Sequence, residues 1–190
     1  LLRRDFFDAP VWAIKDPRAC RLLPLWRRCL DRLEWTAGVL HVVRSPAEVA
    51  ASLTARNGFS RSLGELLWLR HVSAAIRDSC GLPRTVLLYD SLLADPPGAM
   101  HRALTSLGVT LPTIPATGAD SLEGFVDPGF RHHSELSTVP GNRVSELAGQ
   151  MFQGYRELAA GGRDWRALEA LSERFEAEWR AMEPLVGSIA

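Results

Sequence analysis

The chain has 190 residues, 46% apolar and 23% charged, and its 22 basic side chains are balanced by 22 acidic ones. That length suits one domain with a real core, and the composition is that of a soluble globular protein. Zero formal charge argues against a nucleic-acid-binding surface, which wants a basic excess, and no apolar run reaches membrane-spanning length.

The chain opens Leu-Leu-Arg-Arg without a methionine or a visible signal peptide, so the expectation is that a natural N-terminus lies upstream. Cys20, Cys29 and Cys80 form neither a disulfide framework nor a close-spaced metal set. Reduced thiols and a cytoplasmic location follow, with Cys20 and Cys29 packing as small apolar residues on a helix.

In chain order, Val11–Ile14 reads as a short buried strand stopped by Pro17. Apolar residues at 22, 23, 25, 26, 29, 30 and 33 predict a helix over 20–33, with Pro24 in its first turns. Val39–Val43 is a second strand, after Gly38. A helix starts at Pro46 and runs to the Asn57-Gly58 stop. Residues 62–80 form a long amphipathic helix closed by Gly81. Thr85–Tyr89 is a third strand, and 97–107 a helix ending at Gly108.

This alternation predicts an α/β domain with a parallel sheet flanked by helices. Residues 1–108 would be its nucleotide-binding part. Residues 109–141, broken by prolines and glycines, read as a long functional loop region. Two C-terminal helices follow within 142–190, over 143–160 and 164–184; their apolar stripes, with Leu147, Met151, Tyr155, Phe175 and Trp179, read as core.

In parallel sheets ligands bind beyond the strand C-termini, and Lys15, Arg44 and Tyr89 are each expected at such an end. Of the 22 basic residues, 21 are arginine, so Lys15 stands alone. An ammonium is a compact point charge that can follow charge developing at one oxygen. The alternative is a surface lysine that survived by chance.

Arg44 is followed by Pro46, by Ser52 eight residues on, and by Arg56 four residues after that. Ser52 and Arg56 share a helix face. Two guanidinium forks and a hydroxyl suit a phosphomonoester dianion. In the competing reading Arg44 caps the sheet and Arg56 pairs with Glu48 or Glu65 on a solvated face.

This stretch resembles the 3′-phosphate segment of sulfotransferases that use 3′-phosphoadenosine 5′-phosphosulfate (PAPS). Arg56 and the Lys15-Asp16-Pro17 triplet are similar to the tyrosylprotein sulfotransferase branch. Val86-Leu87-Leu88-Tyr89-Asp90, with Asp95-Pro96 after it, resembles the family's Tyr-Glu-Asp-Leu strand end. The whole run looks most like bacterial sulfotransferase-family proteins over residues 11–108.

The resemblance implies a three-layer, P-loop-NTPase-like sulfotransferase fold and transfer of a sulfuryl group from PAPS to a hydroxyl or amine. The acceptor would be a small molecule, glycan or peptide, and no metal is required. It implies that Lys15 stabilises the reacting group, that Arg44, Ser52 and Arg56 hold the 3′-phosphate of PAPS or adenosine 3′,5′-bisphosphate, and that Tyr89 contacts adenine. A basic loop closing over the nucleotide would draw on Arg131, with Gly141-Asn142-Arg143 as runner-up. The neighbouring His132-His133 lacks a third ligand and reads as loop rather than metal site.

The family's Ser-Gly-Thr phosphosulfate loop does not precede Val11, so the sequence looks like the C-terminal two-thirds of such an enzyme. Exposed apolar edges beside Val11–Ile14 and Val39–Val43 would then favour homo-oligomers. Pro17 stands where some relatives carry a catalytic histidine. Asp16 is a candidate base, competing with a turn-holding role or a pair with Arg18. The alternatives are a non-catalytic nucleotide-binding module and a P-loop kinase-like phosphotransferase, which would want a Gly-Lys-Ser/Thr loop. His41, His71 and His101 read as structural.

Overall fold

Two five-residue strands, β1 (Val39–Val43) and β2 (Arg84–Leu88), run parallel, with Val39 opposite Arg84 and Val43 opposite Leu88. Both are short apolar, β-branched runs, each preceded by a strand-excluding residue, Gly38 or Pro83. The computed structural model describes residues 2–6, 8–110 and 142–186. Over these residues the chain is mixed α/β and mostly helical, with this two-stranded sheet.

Ahead of β1 lie α1 (Leu2–Phe6) and α2 (Ala19–Leu33). The crossover between the strands is made by α3 (Pro46–Asn57) and α4 (Arg61–Asp78). After β2 come α5 (Tyr89–Ala94), α6 (Pro96–Ser106), α7 (Arg143–Ala159) and α8 (Arg166–Val186). Helix ends carry the expected chemistry. Pro46 opens α3 and Gly58 closes it at φ 69°. The side chains of Ser60, Asp95 and Asn142 cap α4, α6 and α7.

Strand alternation splits the sheet's side chains between two cores. Val43, Val86 and Leu88 join Trp68, Leu69 and Ile76 of α4, Met151 and Tyr155 of α7, and Leu168 and Phe175 of α8. The C-terminal helices therefore share one core with the crossover. On the opposite face Leu40 and Leu87 meet Ala99 and Ala103 of α6. Val42, on that same face, stays 55% exposed.

A buried polar chain crosses the main core. His41 Nδ1 lies 3.0 Å from Tyr155 Oη, and Nε2 lies 3.1 Å from Ser79 Oγ, which donates to the Ile76 carbonyl. That direction assigns the proton to Nε2 and makes Tyr155 the donor to Nδ1. Burial holds the imidazole pKa down at about 3 and pushes the Tyr155 phenol up, so both are neutral. Arg84 closes the network, bonded to the Ile76 carbonyl and Glu169 with its guanidinium 4.2 Å from the Trp165 ring.

Two expectations are corrected. Val11–Ile14 is not a strand: the segment is irregular, and Val11 and Ile14 are 40% and 41% exposed. Four apolar residues between Pro10 and Pro17 find no neighbouring strand to pair with among the described residues. Trp12 instead stacks on Phe6 at 4.8 Å and meets Trp35 edge-on at 5.6 Å. The second correction is at Tyr89, where the strand already stops at Leu88 and the tyrosine begins α5.

Candidate functional site

The parallel register sets the site. Because Val43 lies opposite Leu88, the next residues, Arg44 and Tyr89, leave the same end of the sheet side by side. The guanidinium carbon of Arg44 sits 4.9 Å from the Tyr89 ring centroid, a cation–π contact. The Arg44 carbonyl accepts a hydrogen bond from Trp68 Nε1 at 3.0 Å, which ties this strand end to α4. Its Nε donates to Glu48 Oε2 at 3.2 Å, and the two side chains are 24% and 12% exposed.

Glu48 lies in the first turn of α3, whose N-cap Ser45 gives no side-chain capping bond. A carboxylate there is favoured by the helix dipole. Ser52 and Arg56 follow on the same stripe, about 6 and 12 Å further along the axis at 1.5 Å per residue. Ser52 is half-buried and its side chain makes no hydrogen bond among the described residues. Arg56 is exposed and donates through Nε to Asn57 Oδ1 at 2.9 Å.

The stripe is fixed by a close helix crossing. A Cβ placed on Gly64 of α4 would lie 2.7 Å from the Cα of Ala50, so the two helices meet at backbone distance there. Glu65, beside it and buried, takes the Arg61 guanidinium at 2.9 Å and the Ser145 hydroxyl.

The expected cluster is therefore assembled in part. Arg44 and Tyr89 are in contact, with Ser52 and Arg56 on one helix stripe leading away from them. The competing pairing of Arg56 with Glu48 or Glu65 is not formed: Glu48 serves Arg44, and Glu65 serves Arg61.

Lys15 does not stand at a strand end, since the strand before it is absent. It is exposed in an irregular stretch and makes no hydrogen bond or ion pair among the described residues. Asp16 beside it accepts from the Arg18 backbone N–H at 2.7 Å and from its guanidinium at 2.9 and 3.0 Å. These bonds hold its carboxyl down at about 2, which suits a turn clamp better than a general base.

Arg131, His132, His133 and Gly141 lie outside the described residues. Asn142 caps α7 and donates to Ser62 at 2.8 Å, while Arg143 pairs with Glu178 at 2.7 Å. A surface cleft of about 390 Å³ between α2 and the end of α4 is lined by Arg27, Arg28, Asp31, Arg77 and Asp78. There Arg27 is bonded to the Asp78 and Cys80 carbonyls, and Arg77 to Asp78 and Glu176. Among the described residues no group of three or more His, Cys, Asp or Glu could hold a metal ion, and no helix is long and apolar enough to cross a membrane.

Sequence reasoning missed two parts of the site. The four-residue step from Arg44 to Glu48 could have given the first. Trp68, 24 residues from the carbonyl it anchors, left no local signal. Comparison with protein-family models, with curated proteins and with solved structures finds no match.

Proposed function

We propose that this chain is the 3′-phosphate- and adenine-binding part of a PAPS-dependent sulfotransferase. The observation that carries the reading is the Arg44 guanidinium at the C-terminal end of β1. Its guanidinium lies over the Tyr89 ring, its Nε is bonded to Glu48, and its Nη1–Nη2 edge has no hydrogen-bond partner among the described residues. Such an edge matches two oxygens of a phosphate. In this reading β1 and β2 belong to a larger three-layer sheet of P-loop type. Ser52 and Arg56 add donors to the 3′-phosphate, Arg131 closes over the nucleotide, and Tyr89 offers adenine the ring face that Arg44 leaves open.

Transfer forms a bond from sulfur to an acceptor hydroxyl or amine and breaks the bond from sulfur to the bridging oxygen of the nucleotide's 5′-phosphate. Lys15 is assigned to the charge that develops on that oxygen. Residues 1–10 contain no Ser-Gly-Thr phosphosulfate loop. The exposure of Lys15 favours one second reading, a nucleotide-binding module without transfer.

Calorimetry tests the proposal. Adenosine 3′,5′-bisphosphate is expected to bind far more tightly than adenosine 5′-monophosphate, and equal affinities sink the assignment. Where transfer is measurable, Lys15→Ala should lower kcat on the order of 100-fold with little change in nucleotide affinity. Unchanged turnover removes Lys15 from catalysis and returns it to a surface lysine that survived by chance.

A further inference from the structure

We infer that Glu48 is the positioning residue of the anion site: it holds Arg44 by Nε so that the Nη1–Nη2 edge is presented to an incoming phosphate. The inference rests on the reading of Arg44 as the 3′-phosphate ligand.

A guanidinium on a flexible stem has many orientations, and binding must freeze one of them. Here three contacts already restrict it. The backbone is pinned through the Trp68 indole, the guanidinium lies over the Tyr89 ring, and Nε is bonded to Glu48, whose side chain is only 12% exposed. The carboxylate is itself fixed. Glu48 sits in the first turn of α3, favoured by the dipole, and α3 is locked to α4 where Gly64 meets Ala50. The one hydrogen bond between the two side chains runs from Nε to Oε2, and the Nη1–Nη2 edge has no hydrogen-bond partner among the described residues.

Glu48 also sets a charge limit. It removes one positive charge from a site that Arg44 and Arg56 would otherwise make doubly positive. Orientation and repulsion therefore oppose each other, and two substitutions separate them. Glu48→Gln keeps an oxygen for Nε and removes the charge. Glu48→Ala removes both.

Calorimetry with adenosine 3′,5′-bisphosphate should show Glu48→Gln binding at least as tightly as the unaltered chain, and Glu48→Ala about tenfold more weakly than Glu48→Gln. In an Arg44→Ala background, titrated by NMR at millimolar nucleotide, that gap should vanish. Equal affinities for Gln and Ala, or a gap that survives loss of Arg44, overturn the inference. A nucleotide-free readout separates it from the reading on which it rests. The Arg44 Nε–H resonance should be protected from solvent exchange in the unaltered chain and in Glu48→Gln, and should lose protection in Glu48→Ala. If that pattern holds and no nucleotide binds, the positioning stands and the nucleotide reading falls. If the pattern is absent, the positioning falls.

Discussion

Arg44 and Lys15 are both cations expected at strand ends, yet their surroundings have little in common. Around Arg44 a strand, two crossover helices and a second strand converge, backed by the α7–α8 core. Around Lys15 a short irregular stretch holds itself by an Asp16–Arg18 clamp, with Trp12 stacked on Phe6 and edge-on to Trp35. Charge alone does not make a site; the number of independent restraints on the charged group does. Arg44 has three, from Trp68, Tyr89 and Glu48, and Lys15 has none among the described residues.

The sharpest break of that contrast is Arg44→Ala. It should weaken adenosine 3′,5′-bisphosphate by about 2–4 kcal/mol, the range for losing a charge-assisted contact in a half-buried site. Titration calorimetry gives the number, and a loss below about 0.5 kcal/mol would put Arg44 on the same footing as a surface arginine.

A smaller effect is expected from Gly64→Leu, which forces α3 away from α4 at Ala50. Overpacking of this kind costs about 1–3 kcal/mol. Urea unfolding should show it, together with weaker nucleotide binding, because Glu48 and Ser52 ride on α3.

The third test concerns the core behind Arg44. Unfolded, the His41 imidazole takes a proton near 6.5; folded, only near 3. Between those values the unfolded chain binds more protons, so stability falls as pH drops from about 6.5 toward 3, by up to about 1.4 kcal/mol per pH unit. The slope difference between the unaltered chain and His41→Gln isolates this contribution from that of carboxylates. A His41→Gln profile parallel to the unaltered one would show that the imidazole is not shielded as its burial implies.

The smallest effect on stability and nucleotide affinity belongs to Lys15→Ala. Its unfolding free energy and nucleotide affinity should match those of the unaltered chain within about 0.5 kcal/mol, as for an exposed surface substitution. A large loss of stability would reveal restraints on Lys15 that the structure does not contain.

Much of the crossover was legible in the sequence. Gly38, Pro46 and Gly58 bound β1 and α3, and each acts through its own backbone preference, so local sequence suffices. Val11–Ile14 misled because an apolar run reports that side chains seek burial, and Trp12 found it in an aromatic stack rather than a sheet. Tyr89 was placed one residue too deep because strand pairing, not residue preference, decides where β2 stops. Arg44 and Ser52 are nominated by the resemblance to the 3′-phosphate segment, since their spacing alone is a weak signal. The contact of Arg44 with Tyr89 needs the strand register, and the Trp68 anchor needs the packing of α4 under β1. Such long-range terms have no signature in a local window.

The single lysine has a practical consequence. A protease specific for lysine has one bond to cut in the whole chain, Lys15–Asp16, and that bond lies in an exposed, irregular stretch. Cleavage would sever residues 1–15, in which Trp12 stacks on Phe6 and meets Trp35 of the remainder edge-on. Whether the cut fragment stays or dissociates then reads out, in one digestion, how strongly the beginning of this chain is held to the remainder, the Trp12–Trp35 contact included.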